Sequence, residues 1–210
     1  MGYIILLLQY LFEGIKNAGI IIRRKIKESV LKAKKIRGIT FWDNLLYHDG
    51  HTWLAPETGK VVRIGIDEFA VKLLGDIDKI QIAQENNRLN KNEQFAKIIS
   101  GKSRFKLESG ITGRVIAVNP SIKRDPQLIA RDPYGSGWLV KVRLENNGID
   151  ELHKGEDAEK WFLKEWDKLH YLITAEAGLT FADGGEITTR DIKKIDRKKW
   201  ELIVKEFLKC

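Results

Sequence analysis

The residues able to do chemistry in this chain are few, and most read as structural. His48 and His51 stand three apart and could share a metal ion. No Cys pair or third ligand stands near them, and protein-held zinc takes three or four side chains, so no metal is expected. Asp67 and Glu68 are adjacent carboxylates, but they directly precede Phe-Ala-Val-Lys-Leu-Leu. That placement makes Asp67 a helix N-cap and Glu68 a first-turn acid favoured by the helix dipole. Cys210 is the single thiol, the last residue of the sequence, and poorly placed to be a held nucleophile. A lone cysteine forms no intrachain disulfide, so a reducing cytoplasmic setting is expected. Ser100-Gly101-Lys102-Ser103 sets an amine in a turn-forming tetrapeptide between two strand candidates. By residue type alone Lys102 is a solvated turn lysine. There is no Ser-His-Asp or Cys-His arrangement, no phosphate loop and no dinucleotide fingerprint, so the chain is not read as an enzyme.

The elements that position these residues follow from periodicity. Residues 39–150 read as short strands between Gly and Asn turns, which indicates a compact sandwich or barrel. Strand candidates are Lys60–Ile66, Asp78–Gln84, Gln94–Ile99, Arg104–Glu108, Thr112–Val118 and Trp138–Leu144. In the last, Trp138, Val140, Val142 and Leu144 alternate with Lys141 and Arg143, and Trp53 and Trp138 are both expected in the core. A helix runs from its Asp67 cap to Gly75. Residues 151–210 read as a helical pair, Ala158–Ile173 and about Ile192–Leu208, whose apolar faces pack on the barrel or on each other.

Charge separates a further region. The net charge is +8 at pH 7. Residues 1–38 hold nine Lys or Arg against Glu13 and Glu28, giving +7, and the remainder carries 28 basic and 27 acidic residues, giving +1. A nucleic-acid-binding fold would place its basic stripe on the folded domain, so no nucleic-acid partner is expected. Residues 3–22 are long enough to span a bilayer, yet Glu13, Lys16 and Asn17 interrupt them. An apolar stretch followed by a basic one suits an anionic membrane surface or a docking partner. Packing on the chain's own core, self-association and a true span are the alternatives. The expected location is cytoplasmic, at the inner membrane face if residues 1–38 act as an anchor.

Sequence stretches in the middle region carry a family resemblance. They are Tyr47-His48-Asp49-Gly50-His51-Thr52-Trp53, Ile64-Gly65-Ile66-Asp67-Glu68-Phe69-Ala70 with Leu74-Gly75-Asp76, Thr112-Gly113-Arg114-Val115-Ile116-Ala117-Val118-Asn119, and Asp132-Pro133-Tyr134-Gly135-Ser136-Gly137-Trp138-Leu139. In this order and spacing they resemble the glycine-cleavage H-protein, a lipoyl carrier. The resemblance implies a mainly β fold with helical additions (α+β). Its centre would be a barrel-sandwich hybrid, the flattened β-barrel of lipoyl and biotinyl domains. The domains expected are an apolar-basic helical segment at 1–38, the lipoyl-type domain at 39–150 and the helical extension at 151–210.

The same resemblance implies covalent lipoate on one lysine at a hairpin tip, and counting back from Thr112-Gly113 places it at Lys102. Lys97 and Lys106 are neighbours within strand candidates. Ile99 stands where the family has Glu three residues before its lysine, and Gly101 where it has Val. Such a carrier moves an aminomethyl group from glycine decarboxylase to aminomethyltransferase and is reoxidised by dihydrolipoyl dehydrogenase. The extensions point to a particular partner complex, a redox or sulfur-handling one included. The other reading is an unmodified H-like scaffold or regulatory module.

Overall fold

The computed structural model describes residues 33–101, 103–146, 148–177 and 195–208. The apolar-basic reading of residues 1–32 therefore lies outside the described residues, as does Lys102. From Lys34 onward the described residues form one compact unit, in which the C-terminal helices share a core with the sheets.

The strands are β1 (Ala33–Ile36), β2 (Ile39–Trp42), β3 (Leu46–His48), β4 (Thr52–Pro56), β5 (Val61–Ile66), β6 (Lys79–Ile82) and β7 (Arg88–Leu89). There follow β8 (Gln94–Ser100), β9 (Ser103–Glu108), β10 (Gly113–Val118), β11 (Val140–Leu144) and β12 (His153–Lys154). The helices are α1 (Glu68–Leu74), α2 (Pro120–Arg124), α3 (Leu128–Arg131), α4 (Gly155–Ala177) and α5 (Arg197–Lys205). A seven-stranded sheet runs in the order β12-β3-β4-β5-β11-β10-β7, a three-stranded sheet β6-β8-β9 carries the hairpin, and β1-β2 is a separate pair. The expected barrel-type fold is thus built as packed antiparallel sheets that do not close into one continuous ladder. Strand β1 falls inside the stretch that composition assigned to the basic N-terminal segment.

The resemblance-bearing stretches prove to be the joints of this architecture. Trp53 lies opposite Gly65 in the β4–β5 ladder, and a Cβ on Gly65 would meet the indole ring at 2.4 Å. Only glycine leaves room for a fully buried tryptophan there, and the Trp53 Nε1–H donates to the Ile66 carbonyl at 2.9 Å. Its second acceptor, the Pro133 carbonyl at 3.1 Å, ties the β4–β5 corner to the Asp132–Leu139 turn. Asn119, at the end of β10, donates through Nδ2 to the carbonyls of Ser136 and Trp138 at 2.8 and 2.7 Å. Buried polar groups find partners in this way, and each motif residue here satisfies a neighbour's backbone.

The expected strands are present, with ends displaced by a residue or two, as helix and strand boundaries usually are. Trp138 is the exception in burial. It is half-buried, because β11 begins only at Val140 and the alternation does not reach back to it; Leu139 is buried in its place. The C-terminal pair forms as α4 and α5, with α4 starting at Gly155 and ending at Ala177. Phe162, Trp166, Leu169 and Ile173 bury one face of α4, and Ile203 and Val204 bury that of α5.

Candidate functional site

The β8–β9 hairpin is the element on which the sequence placed its candidate lysine. Its ladder runs from Gln94↔Glu108 to Ser100↔Ser103, so two residues join the strands, Gly101 first. Gly101 is exposed and has φ +58°, the left-handed conformation that a two-residue hairpin turn requires at its first central position. The family's Val is disfavoured in that conformation, since a β-branched residue at positive φ is strained. The Gly101 N–H donates to Asp78 Oδ2 at 2.6 Å, and the Asp78 N–H donates to the Ile99 carbonyl at 2.9 Å, locking β6 against the turn.

Both strands are also tied at their ends. Ser100 Oγ donates to the Leu74 carbonyl at the end of α1, at 3.0 Å. Ser103 Oγ donates to Glu201 Oε1 on α5, at 2.5 Å. Glu201 is further paired with Arg197 at 3.1 Å, and these two partners, Ser103 first, hold its carboxyl below the ordinary glutamate value. Trp200 on the same helix donates Nε1–H to the Leu73 carbonyl at 3.1 Å. The hairpin turn therefore rests on two helices: α1 supports one strand and α5 the other. Sequence reasoning named neither Glu201 nor Trp200 as neighbours of the tip. The apolar period of α5 was readable, but nothing in it says which surface the helix meets.

A second constellation lies at the opposite end of α1. Asp67 caps the helix, its Oδ1 accepting from the Ala70 N–H at 2.8 Å. Its other oxygen lies 2.9 Å from His51 Nδ1, with both side chains fully buried. The imidazole stacks on Phe69, with centroids 4.4 Å apart and planes at 15°. Its Nε2 points at Glu165 of α4, 3.7 Å away: too long for a hydrogen bond, close for an ion pair. Burial by itself would lower the histidine pKa. The carboxylates outweigh it, Asp67 before Glu165, and raise it to about 9. His51 is thus an imidazolium at neutral pH, bridging the sheet to the C-terminal helix. It resembles a structural cross-tie more than a base. His48 has its own contacts at the surface, its ring nitrogen 3.3 Å from Asn92 Oδ1. Among the described residues no group of three His, Cys, Asp or Glu side chains is arranged to hold a metal.

Comparison with known proteins decides what this architecture belongs to. The family profile described as glycine cleavage H-protein matches residues 45–165, more than half of the chain. The chain belongs to the glycine cleavage H-protein family. It is 40% identical over 119 residues to the glycine cleavage system H protein of Gloeobacter violaceus, covering 57% of this chain and 91% of that protein. The corresponding protein of Carboxydothermus hydrogenoformans is 36% identical over 123 residues, 58% of this chain and 94% of that one. Among solved structures, the glycine cleavage system H protein of Mycobacterium marinum superposes with a TM-score of 0.52 at 28% identity, over 58% of this chain and 98% of that chain. H-proteins hold lipoate covalently on a lysine and carry intermediates between the glycine cleavage enzymes without being catalysts themselves. The family match ends at residue 165, so most of α4 and all of α5, including the Glu201 and Trp200 contacts at the hairpin, lie beyond it.

Proposed function

We propose that this chain is a lipoyl carrier of glycine cleavage whose arm is attached at Lys102, and that it is not itself a catalyst. The observation that carries this reading is the two-residue connection, begun by the exposed Gly101, at the end of a hairpin whose two strands are anchored by Ser100 and Ser103. A rigid base and a two-residue turn suit a tethered group that must reach several active sites while the fold stays intact. Lys97 and Lys106 are less suited. They lie opposite each other in the middle of the ladder, away from the turn.

Lipoate bound to such a lysine would supply dithiolane chemistry able to hold an aminomethyl group on sulfur. The residues of this chain hold the tip: Asp78 fixes Gly101, Glu201 fixes Ser103, and the Leu74 carbonyl fixes Ser100. The partners are glycine decarboxylase, aminomethyltransferase and dihydrolipoyl dehydrogenase. A related redox or sulfur-handling complex is the second setting, favoured by the helix added beside the tip. Residues 1–38 are proposed to hold the carrier at the cytoplasmic face of a membrane through their apolar and basic runs.

The reaction tests the reading. With glycine decarboxylase and lipoylated full-length chain, glycine-dependent exchange of bicarbonate into the glycine carboxyl should be supported, and Lys102→Ala should abolish it. Equal exchange with Lys102→Ala would overturn the assignment.

A further inference from the structure

A guanidinium stands beside the hairpin turn. A Cβ placed on Gly101 would lie 3.7 Å from Arg197 Nη2, and among the described residues no other side chain comes as near to that point. Arg197 spends its Nε–H on Glu201 Oε1 at 3.1 Å, and Glu201 also accepts from Ser103 Oγ. One carboxylate therefore ties the guanidinium to the strand that leaves the turn. The two terminal nitrogens of Arg197 have no hydrogen-bond partner among the described residues. Arg104, the residue after Ser103, belongs to the opposite face of the hairpin by the alternation of the ladder.

Helix α5 itself gives no reason for an arginine at this position. Arg197, Lys198 and Lys199 fill its first turn and no acid joins them, the reverse of what the helix dipole favours. The i, i+4 pair with Glu201 also runs in the weaker order, with the cation nearer the N-terminus. Of the three cations, Arg197 is the one that reaches the turn. Lys102 is the next residue after Gly101 in the sequence. Residue 197 lies beyond the family match, so its place at the tip is not inherited from the matched region.

We propose that Arg197 takes part in attaching the arm, by holding the phosphate of an activated acyl donor while Lys102 attacks it. This rests on the carrier reading above, which names Lys102 as the acceptor. A free carboxylate does not acylate an amine, so the acyl group must arrive on a leaving group, here the phosphate of an acyl–nucleoside monophosphate anhydride. The neutral lysine nitrogen attacks the acyl carbon, and the amide C–N bond forms as the C–O bond to phosphate breaks. The nucleoside monophosphate leaves with that electron pair, and the nitrogen gives its proton to water. The phosphate gains one negative charge in this step, so a fixed guanidinium holds it more tightly as the bond breaks. Arginine suits the task because its fork can hold two phosphate oxygens at once. An arginine that merely packs on the turn is the alternative, and it would treat all acyl donors alike.

The test supplies the unmodified full-length chain with chemically made lipoyl adenylate and, separately, with lipoyl imidazolide, whose leaving group departs as neutral imidazole. Peptide mass spectrometry follows acylation of Lys102 relative to Lys60, an exposed lysine just before β5. With the adenylate, Arg197→Gln should slow Lys102 about five-fold, and Arg197→Lys should recover part of the rate. Salt at about 500 mM should slow the unaltered chain in the same way. With the imidazolide all three chains should react equally at Lys102. Equal adenylate rates for the unaltered chain and Arg197→Gln overturn the proposal and leave the carrier reading standing. An equal loss with both donors also overturns it, and makes Arg197 a support of the turn alone. A Lys102 that neither donor acylates, while Lys60 reacts, overturns the carrier reading as well.

Discussion

His51 gains its positive charge from two carboxylates on different elements, Asp67 at the head of α1 and Glu165 on α4. Its folded pKa of about 9 stands above the unfolded value of roughly 6.5. The stabilisation is therefore complete below about pH 6.5 and is lost as pH rises through 9. The difference corresponds to at most about 3 kcal/mol. Denaturant unfolding between pH 6 and 10 should show this decline, and His51→Gln should remove most of it. A histidine variant with the same pH dependence as the unaltered chain would place the titration elsewhere. In the sequence His51 was readable as a family position beside Trp53, and Asp67 as a helix cap. Their contact was not readable, because it depends on the β4–β5 pairing that brings residues sixteen apart together. Gly65 is similar: its sequence neighbours mark a strand, and only the Trp53 ring above it explains why that strand needs a glycine.

Helix α1 links the two constellations. Its N-terminus is capped by the residue that holds His51, and its last carbonyls accept from Trp200 and Ser100. Helix α5 closes the arrangement from the other strand through Ser103 and Glu201. Trp200→Phe keeps the ring's bulk and removes the hydrogen bond to Leu73, and should lower stability by about 1 kcal/mol. Its particular signature is faster amide exchange in residues 98–106, since the tip would lose part of its support. Unchanged exchange there would mean that α5 is merely attached to the hairpin and does not stiffen it. Strands β8 and β9, the Asp67 cap and the Gly75 stop were legible from alternation and turn chemistry. The docking of α5 was not, because an amphipathic helix announces a buried face without naming what buries it.

At the scale of the molecule, an H-protein fold is combined with elements outside the family match. The sheets and α1 carry the matched region, while α4 continues past residue 165 and α5 returns to the hairpin. Residues 1–38 bring most of the net charge, and the proposal that they bind a membrane surface has a direct check. The full-length chain should float with anionic vesicles in a density gradient, and a chain beginning at Ile39 should stay at the bottom. Equal behaviour of both would end that proposal. No described helix is long and apolar enough to cross a bilayer. Fold class followed from short strands and ordered motifs, because each motif is a joint with a strict steric demand. The added helices meet different surfaces, α4 the sheet and the aromatic core and α5 the hairpin and α1, and the sequence marks them only by a general apolar period.

A single lysine, between Ser100 and Ser103, is proposed to receive the arm. Intact mass spectrometry of the full-length chain from a lipoylating host supplied with lipoate measures this directly. The expected result is a gain of one lipoyl group, lost in Lys102→Arg and retained in Lys97→Arg and Lys106→Arg. An unshifted mass, or a gain that survives Lys102→Arg, would contradict it.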